Sequence, residues 1–319
     1  MRAIPEEVNS TYKGKNLFVT VKLVTHESWG GDCLNRGNVF MKDGKVLVSK
    51  VLASPDVKKS VKRAVDLIGG FKKVISAGDK VIVKPNFNSD DPFPASSDPE
   101  FVKAVVSLLY DSGASSVVIV ESSGMPWLPT KNVLRKMGML KAAKECGAEV
   151  RVLDDRKWVD IEIEGKRWKK ISIAQDALEK DAKFVWLPCM KTHRYARFSL
   201  SLKLSVGLLD FRLRGDLHAA HLEEKIAELN LAVHPNLIIM DGRKCFTTGG
   251  PDVGHVEEPN IILASGDRIA IDVEALKILK SYNASNKLDM FVWEFPQIKH
   301  TVELELGVRG EDEILVVSG

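Results

Sequence analysis

Residues 188–218 hold more reactive side chains than any other stretch of this 319-residue chain: Lys191, His193, Arg194, Arg197, Lys203, Arg212, Arg214 and His218. They follow an apolar run, Phe184–Leu187, that reads as a buried strand. Cations and imidazoles just past a strand end make a site for an anion, a metal or a cofactor. His193 has the chemistry of a general acid/base or a metal ligand. Lys203 stands ten residues on, inside the apolar Leu200–Leu209 segment. Such a setting lowers an amine pKa and suits a nucleophilic or covalently engaged lysine. The plainer alternative makes Lys203 a solvated side chain and His193 a hydrogen-bonded loop residue.

Other groups can join this pair. Lys84-Pro85-Asn86, Glu121–Gly124, Lys191-Thr192-His193, Asp241-Gly242 and Ser265-Gly266-Asp267 each follow an apolar run. Ligands of open parallel sheets bind beyond the carboxyl ends of strands, so these five loops are expected to converge on one cleft. From them come the ligand-binding candidates Lys84, Asn86, Lys191, Thr192, Arg194, Asp241 and Asp267. Thr247–Asp252 adds Gly249 and Gly250, whose backbone N–H groups could form an anion-binding nest. His218 and His221, three apart at a helix start, are the candidate metal ligands. His218 also falls on the apolar stripe of the following helix, which gives it a packing explanation. Glu223 and Glu224 read as a solvated face and Asp272 as an exposed helix residue. Asp98 and Asp267 read as helix N-caps.

The elements that must hold these groups alternate. Helices are expected from Ser54-Pro55 to Gly69, from Asp98-Pro99 to about Asp111, over 130–145, through Leu222–Val233 and from Asp267 through Ile278. Strands are expected at 81–83, 117–120, 149–153, 184–187, 237–240, 261–264 and 314–317, with a hairpin about Glu164-Gly165. The fold class is α/β: a mostly parallel sheet with helices on both faces. Residues 1–45 form an N-terminal extension, and 46–319 form the α/β domain. That domain can divide into lobes of about 46–187 and 188–319 around a cleft.

Composition narrows the function. Apolar residues are 45% of the chain and net charge is only +3, which fits a packed globule and argues against a nucleic-acid partner. No apolar run approaches the roughly 20 residues of a membrane span. The N-terminus lacks a signal-peptide core, so the expected location is cytoplasmic. Cys33, Cys146, Cys189 and Cys245 are too dispersed for a zinc ribbon or an iron–sulfur run. Cys189 and Cys245 can reach the site. There is no G-x-G-x-x-G after a strand, no P-loop and no G-x-S-x-G elbow.

The ordered set Gly69-Gly70, Lys80–Asn86, Asp98-Pro99, Leu187–His193, Ser201–Gly207, His218 or His221, Met240–Gly242, Gly249–Pro251 and Asp267–Asp272 resembles the domain of unknown function family number 362, over about residues 48–318. Many of its members look like iron–sulfur proteins through a Cys-rich module. This chain has no such module, so no cluster is expected in it, though an iron–sulfur partner remains open. Lys-Leu-Ser stands here where the family usually has Lys-Asn. The His193/Lys203 spacing is similar to that in the N-terminal lobe of nickel-dependent lactate racemase, which holds a nickel-pincer nucleotide. That likeness implies a metal ion or metal-containing nucleotide as cofactor. Two functions follow. One is an enzyme acting on a small carboxylate or phosphorylated metabolite. The other is a non-catalytic metal- or cofactor-binding protein working with an iron–sulfur partner.

Overall fold

The computed structural model describes residues 38–124 and 127–319, together with the backbone of Val21–Lys22. The expected N-terminal extension and Cys33 therefore lie almost wholly outside the described residues. The described part of that extension is already domain: Phe40 is fully buried, and Met41–Lys42 pairs with Lys45–Leu52.

One sheet organises the chain. Glu149–Val152, Ser116–Glu121, Lys80–Lys84, Ala182–Trp186 and Leu237–Phe246 lie side by side in that order, all parallel. Their β-branched runs are buried on both faces. Ile82, Val118, Val120, Ile238 and Met240 pack into one layer, and Val81, Val83, Val117, Ile119 and Ile239 into the other. Alternate residues of a strand face opposite sides, so one unbroken apolar run supplies both layers. Helices Val57–Leu67 and Pro99–Asp111 cover the second layer, while Leu222–Leu229, Arg268–Ser281 and Pro296–Glu303 cover the first. The sheet takes strands from both halves of the chain: Ile314–Ser318 pairs with Lys45–Leu52.

The connectivity places the site. From Lys80–Lys84 the chain moves outward through two strands to Glu149–Val152. It then returns to the other side of Lys80–Lys84 as Ala182–Trp186. Strand order reverses between these two neighbours, and a crevice opens at such a point beyond their carboxyl ends. On the return path, Trp158–Glu162 and Lys170–Ala174 form the expected hairpin, in a separate three-stranded sheet with Val21–Lys22.

Several expectations change. Ile261–Ser265 runs antiparallel to Leu237–Phe246, with Ser265 opposite Ile238. Asp267 therefore lies past the amino end of the parallel strands, on the rim opposite the cleft. There it caps its helix through Ile269 N and Ala270 N, both at 2.8 Å. Asp241 and Gly242 are not in a loop, because their strand continues to Phe246. Lys191–His193 is itself a strand, Cys189–His193, which pairs with the far end of that long strand and folds back onto Arg197–Ser199. The first helix begins at Val57 with Asp56 as its cap. The helix over 130–145 is two, Thr130–Lys136 and Met139–Cys146, separated at left-handed Gly138.

Candidate anion-binding site

A pocket opens at the strand-order reversal. It is lined by Lys84, Asn86, Asn88, Glu121, Ser122, Lys191, Ser199, Lys203, Leu204, Val206, Gly207, Arg214 and Pro251. Four cationic side chains and one carboxylate thus face one space. Each strand end contributes by position. Lys84 and Glu121 close neighbouring parallel strands, and Lys191 comes from the bent continuation of the third.

Donor accounting shows what these groups can still offer. An ammonium has three N–H donors. Lys84 Nζ spends two, on Glu121 Oε1 at 2.5 Å and Pro85 O at 2.7 Å. Lys191 Nζ spends two, on Ala95 O and on Pro251 O at 3.1 Å. Each keeps one for a ligand. Arg214 spends its guanidinium on Ser122, Ser123 and Leu209, so it contributes charge rather than free donors. Lys203 has no hydrogen-bond or ion-pair partner among the described residues. Burial first, then the Lys191 and Arg214 cations, bring its pKa down to about 7. Burial also lowers Lys84 and Lys191, against the pull of Glu121 on Lys84 and of Cys189 on Lys191. Glu121 Oε1 also accepts from Ser122 N, and Oε2 from Phe87 N at 2.7 Å. Both carboxylate oxygens are engaged, and they lock the two strand-end loops together.

The helix that carries Lys203 is held from behind. Asp272 accepts from Ser201 N at 2.8 Å and Leu202 N at 3.0 Å, the free N–H groups at the start of Ser201–Leu204. Asp272 is completely buried, contrary to the exposed position expected, and burial pushes its carboxyl up to about 7. Gly207 lets the same segment approach Lys84. A Cβ there would stand 2.7 Å from both Lys84 Cε and Nζ, and 3.3 Å from Glu121 Oε1. Lys84 is only 2% exposed, and its ammonium is tied to Glu121 and Pro85 O. Gly207→Ala should therefore move the ammonium and weaken anion binding about tenfold, the worth of one hydrogen bond to a charged group. Titration with malonate checks this, and unchanged affinity would mean that the pocket tolerates the displacement.

The two imidazoles are held in opposite tautomers. His193 Nδ1 accepts from Ala196 N at 3.0 Å and Tyr195 N at 3.2 Å, so its proton sits on Nε2. Burial, with Lys203 and Lys191 adding to it, drives its pKa far down and keeps it neutral. His218 Nδ1 lies 2.7 Å from Arg214 O, a contact that requires an N–H there and leaves Nε2 a free lone pair. His218 is exposed rather than on the apolar stripe, and partial desolvation of its ring, followed by the Lys203 and Arg214 charges, lowers its pKa. His218 ends one helix, whereas His221 is the left-handed residue before the next. The two therefore do not share a helical face. Among the described residues no group of three His, Cys, Asp or Glu could hold a metal. His193, with its nitrogen lone pair already taken by two amides, does not fit a metal ligand either.

His193, His218 and other expected residues stand outside the pocket lining. Asp241 accepts Arg243 Nε at 2.9 Å, and Arg243 also reaches Asp98 at 2.7 Å. Thr192 is buried with its hydroxyl unpartnered. Arg194 pairs with Asp252 and holds Gly250 O at 2.9 Å. Gly250 N donates to Val253 O at 2.7 Å, so that N–H is not free for a nest. The Gly249–Gly250 turn instead carries the Pro251 carbonyl to Lys191. Glu223 is not fully solvated but half of a partly buried pair with Arg197. Cys189 and Cys245 are buried thiols, pushed by burial up to about 11 and about 12. Sequence reasoning left Glu121, Arg214, Asn88, Ser122, Ser199 and Gly207 out of the candidate set.

Residues 81–277 match the family model described as "Domain of unknown function (DUF362)", which spans more than half of the chain. A curated protein named Thylakoid-associated protein sll1697, from Synechocystis sp. (strain ATCC 27184 / PCC 6803 / Kazusa), is 22% identical over 256 residues, 76% of this chain and 75% of that protein. A crystal structure of a Thermotoga maritima protein aligns over 60% of this chain at 11% identity and a TM-score of 0.40. This chain spans about half the length of that structure, 50%. Among the described residues no helix is long and apolar enough to cross a membrane.

Proposed function

Because the chain belongs to the family described as Domain of unknown function (DUF362), a description that assigns no reaction, we infer from the pocket itself that the protein binds and acts on a small anionic metabolite, a carboxylate or a phosphorylated compound. The observation that carries this reading is the unpartnered Lys203 amine in a pocket of four cations and one carboxylate. Buried like charges repel, and an unpaired buried cation is costly. A bound anion relieves both penalties and takes the N–H donors that Lys84, Lys191 and Lys203 hold in reserve. His193 contributes a neutral Nε2–H donor near these cations. His218, with its proton on Nδ1 and its ring oriented by Arg214 O, has the tautomer a general base needs. On this reading the acid/base role first expected of His193 passes to His218.

Thermal unfolding with malonate, inorganic phosphate and the neutral isostere malonamide tests this reading. Ligands that bind the folded state alone raise its melting temperature in proportion to RT ln(1 + [L]/Kd). Malonate or phosphate should raise it at millimolar concentration and malonamide should not. Equal shifts from all three, or none, would end the anion reading.

A further inference from the structure

Three of the four pocket cations are held by protein acceptors, and among the described residues Lys203 is not. Its backbone is nonetheless fixed, because Asp272 grips the first two N–H groups of its helix and Asn230 Nδ2 bonds Leu202 O at 2.9 Å. Leu204 and Val206 give the amine apolar flanks in the same pocket. An amine that only positioned an anion would gain from a second, fixed acceptor, as Lys84 and Lys191 have. An amine that must present a lone pair to a ligand is better without one, and burial, with the neighbouring cations, keeps part of it unprotonated at neutral pH.

We propose that Lys203 forms an imine with a small carbonyl compound bearing an anionic group, the anion resting on Lys84 and Lys191 and the carbonyl carbon meeting Lys203 Nζ. The proposal rests on the anion reading and names the substrate class for the same pocket. The nitrogen lone pair attacks the carbonyl carbon, a C–N bond forms, and the π pair moves to oxygen. A proton passes from the nitrogen to the oxygen through solvent, giving a neutral carbinolamine. One further proton, taken from solvent, lets the hydroxyl leave as water while the nitrogen pair closes C=N. The product is a protonated imine. Amine, carbonyl compound and one proton thus give iminium and water, with no change of oxidation state.

The test is reductive trapping on the full chain. The protein is incubated with pyruvate or with glycolaldehyde phosphate, treated with sodium borohydride, and read by intact mass and peptide mapping. Label should fall on Lys203 more than about tenfold above other lysines, because an ordinary lysine near pH 7 is almost wholly protonated. Malonate should protect Lys203, and neutral acetone should label it no more than the surface lysines. The pyruvate and glycolaldehyde phosphate arms tell a carboxylate from a phosphate as the anionic group. Lys203→Arg, which keeps the charge without a nucleophilic amine, should take up no pocket label while melting near the wild-type temperature. Label spread evenly over surface lysines, or concentrated on Lys191, would overturn the proposal. Thermal stabilisation by malonate without any Lys203 adduct would sink the imine alone. Absence of any malonate effect would sink the underlying anion reading.

Discussion

Above pH 7 the affinity of the wild-type protein for malonate falls about tenfold per pH unit, and the Lys203→Arg variant does not share that fall. The sign follows from linkage. In the free pocket Lys203 has a pKa of about 7, depressed by burial and then by Lys191 and Arg214. A bound anion favours the ammonium and raises that pKa, so binding takes up a proton whenever the free amine is neutral. Below pH 7 the amine is already charged and affinity is flat. Above pH 7 each unit costs a factor of about ten, until the pKa of the bound state is reached. Malonate is fully ionised in this window, so the ligand adds no titration of its own. Arginine remains charged throughout, which removes the slope if Lys203 is its source. Lys203→Ala should lose about 10–100-fold at pH 6.5, the worth of a hydrogen bond between charged groups. Calorimetric titration at several pH values reads all three proteins. A slope that survives in Lys203→Arg would move the titrating role to Lys84 or Lys191.

The parallel core was legible because its physics is local. Val81-Ile82-Val83 and Val117–Val120 are β-branched runs with no polar break, and only a doubly covered strand tolerates that. Asp98 and Asp267 announced their helices through the N-cap rule, and both cap as expected. The direction of Ile261–Ser265 was misread, although a signal existed. No helix lies between Phe246 and Ile261, and a parallel neighbour needs a crossover. That single reversal carried Asp267 to the wrong rim. Asp272 was misread because a carboxylate on a helix is usually solvated. Its neighbours Ile271 and Val273, in a helix apolar on every side, pointed to burial. The cation cluster was legible in part. Lys84, Asn86, Lys191 and Lys203 all line the pocket. Glu121 and Arg214 are 93 residues apart in sequence, and only the parallel register and the fold of 201–214 bring them to Lys84. Which nitrogen of His193 or His218 is free depends on amides and carbonyls that no side-chain pattern reveals.

Glu121→Gln should lower the melting temperature by roughly 4–8 °C and make the protein respond more strongly to anions than the wild type. Glu121 is 1% exposed and, among the described residues, is the sole carboxylate lining the pocket. Its oxygens accept Lys84 Nζ, Ser122 N and Phe87 N. A glutamine has the same shape but one acceptor oxygen, and its amide would turn a donor toward an existing donor. Removing one partner of a buried ion pair costs about 3–5 kcal/mol, because the other charge is left uncompensated. Here Lys84 would be left among Lys191, Lys203 and Arg214. The same deficit makes the variant a better receptor for negative charge, so saturating malonate should recover part of the lost stability. Scanning calorimetry with and without malonate separates the possibilities. An unchanged melting temperature would mean that Lys84 is neutral in the pocket and that Glu121 does not compensate it. A lowered melting temperature with a smaller malonate shift than wild type would mean that accumulated positive charge does not hold the ligand, and would count against the anion site itself.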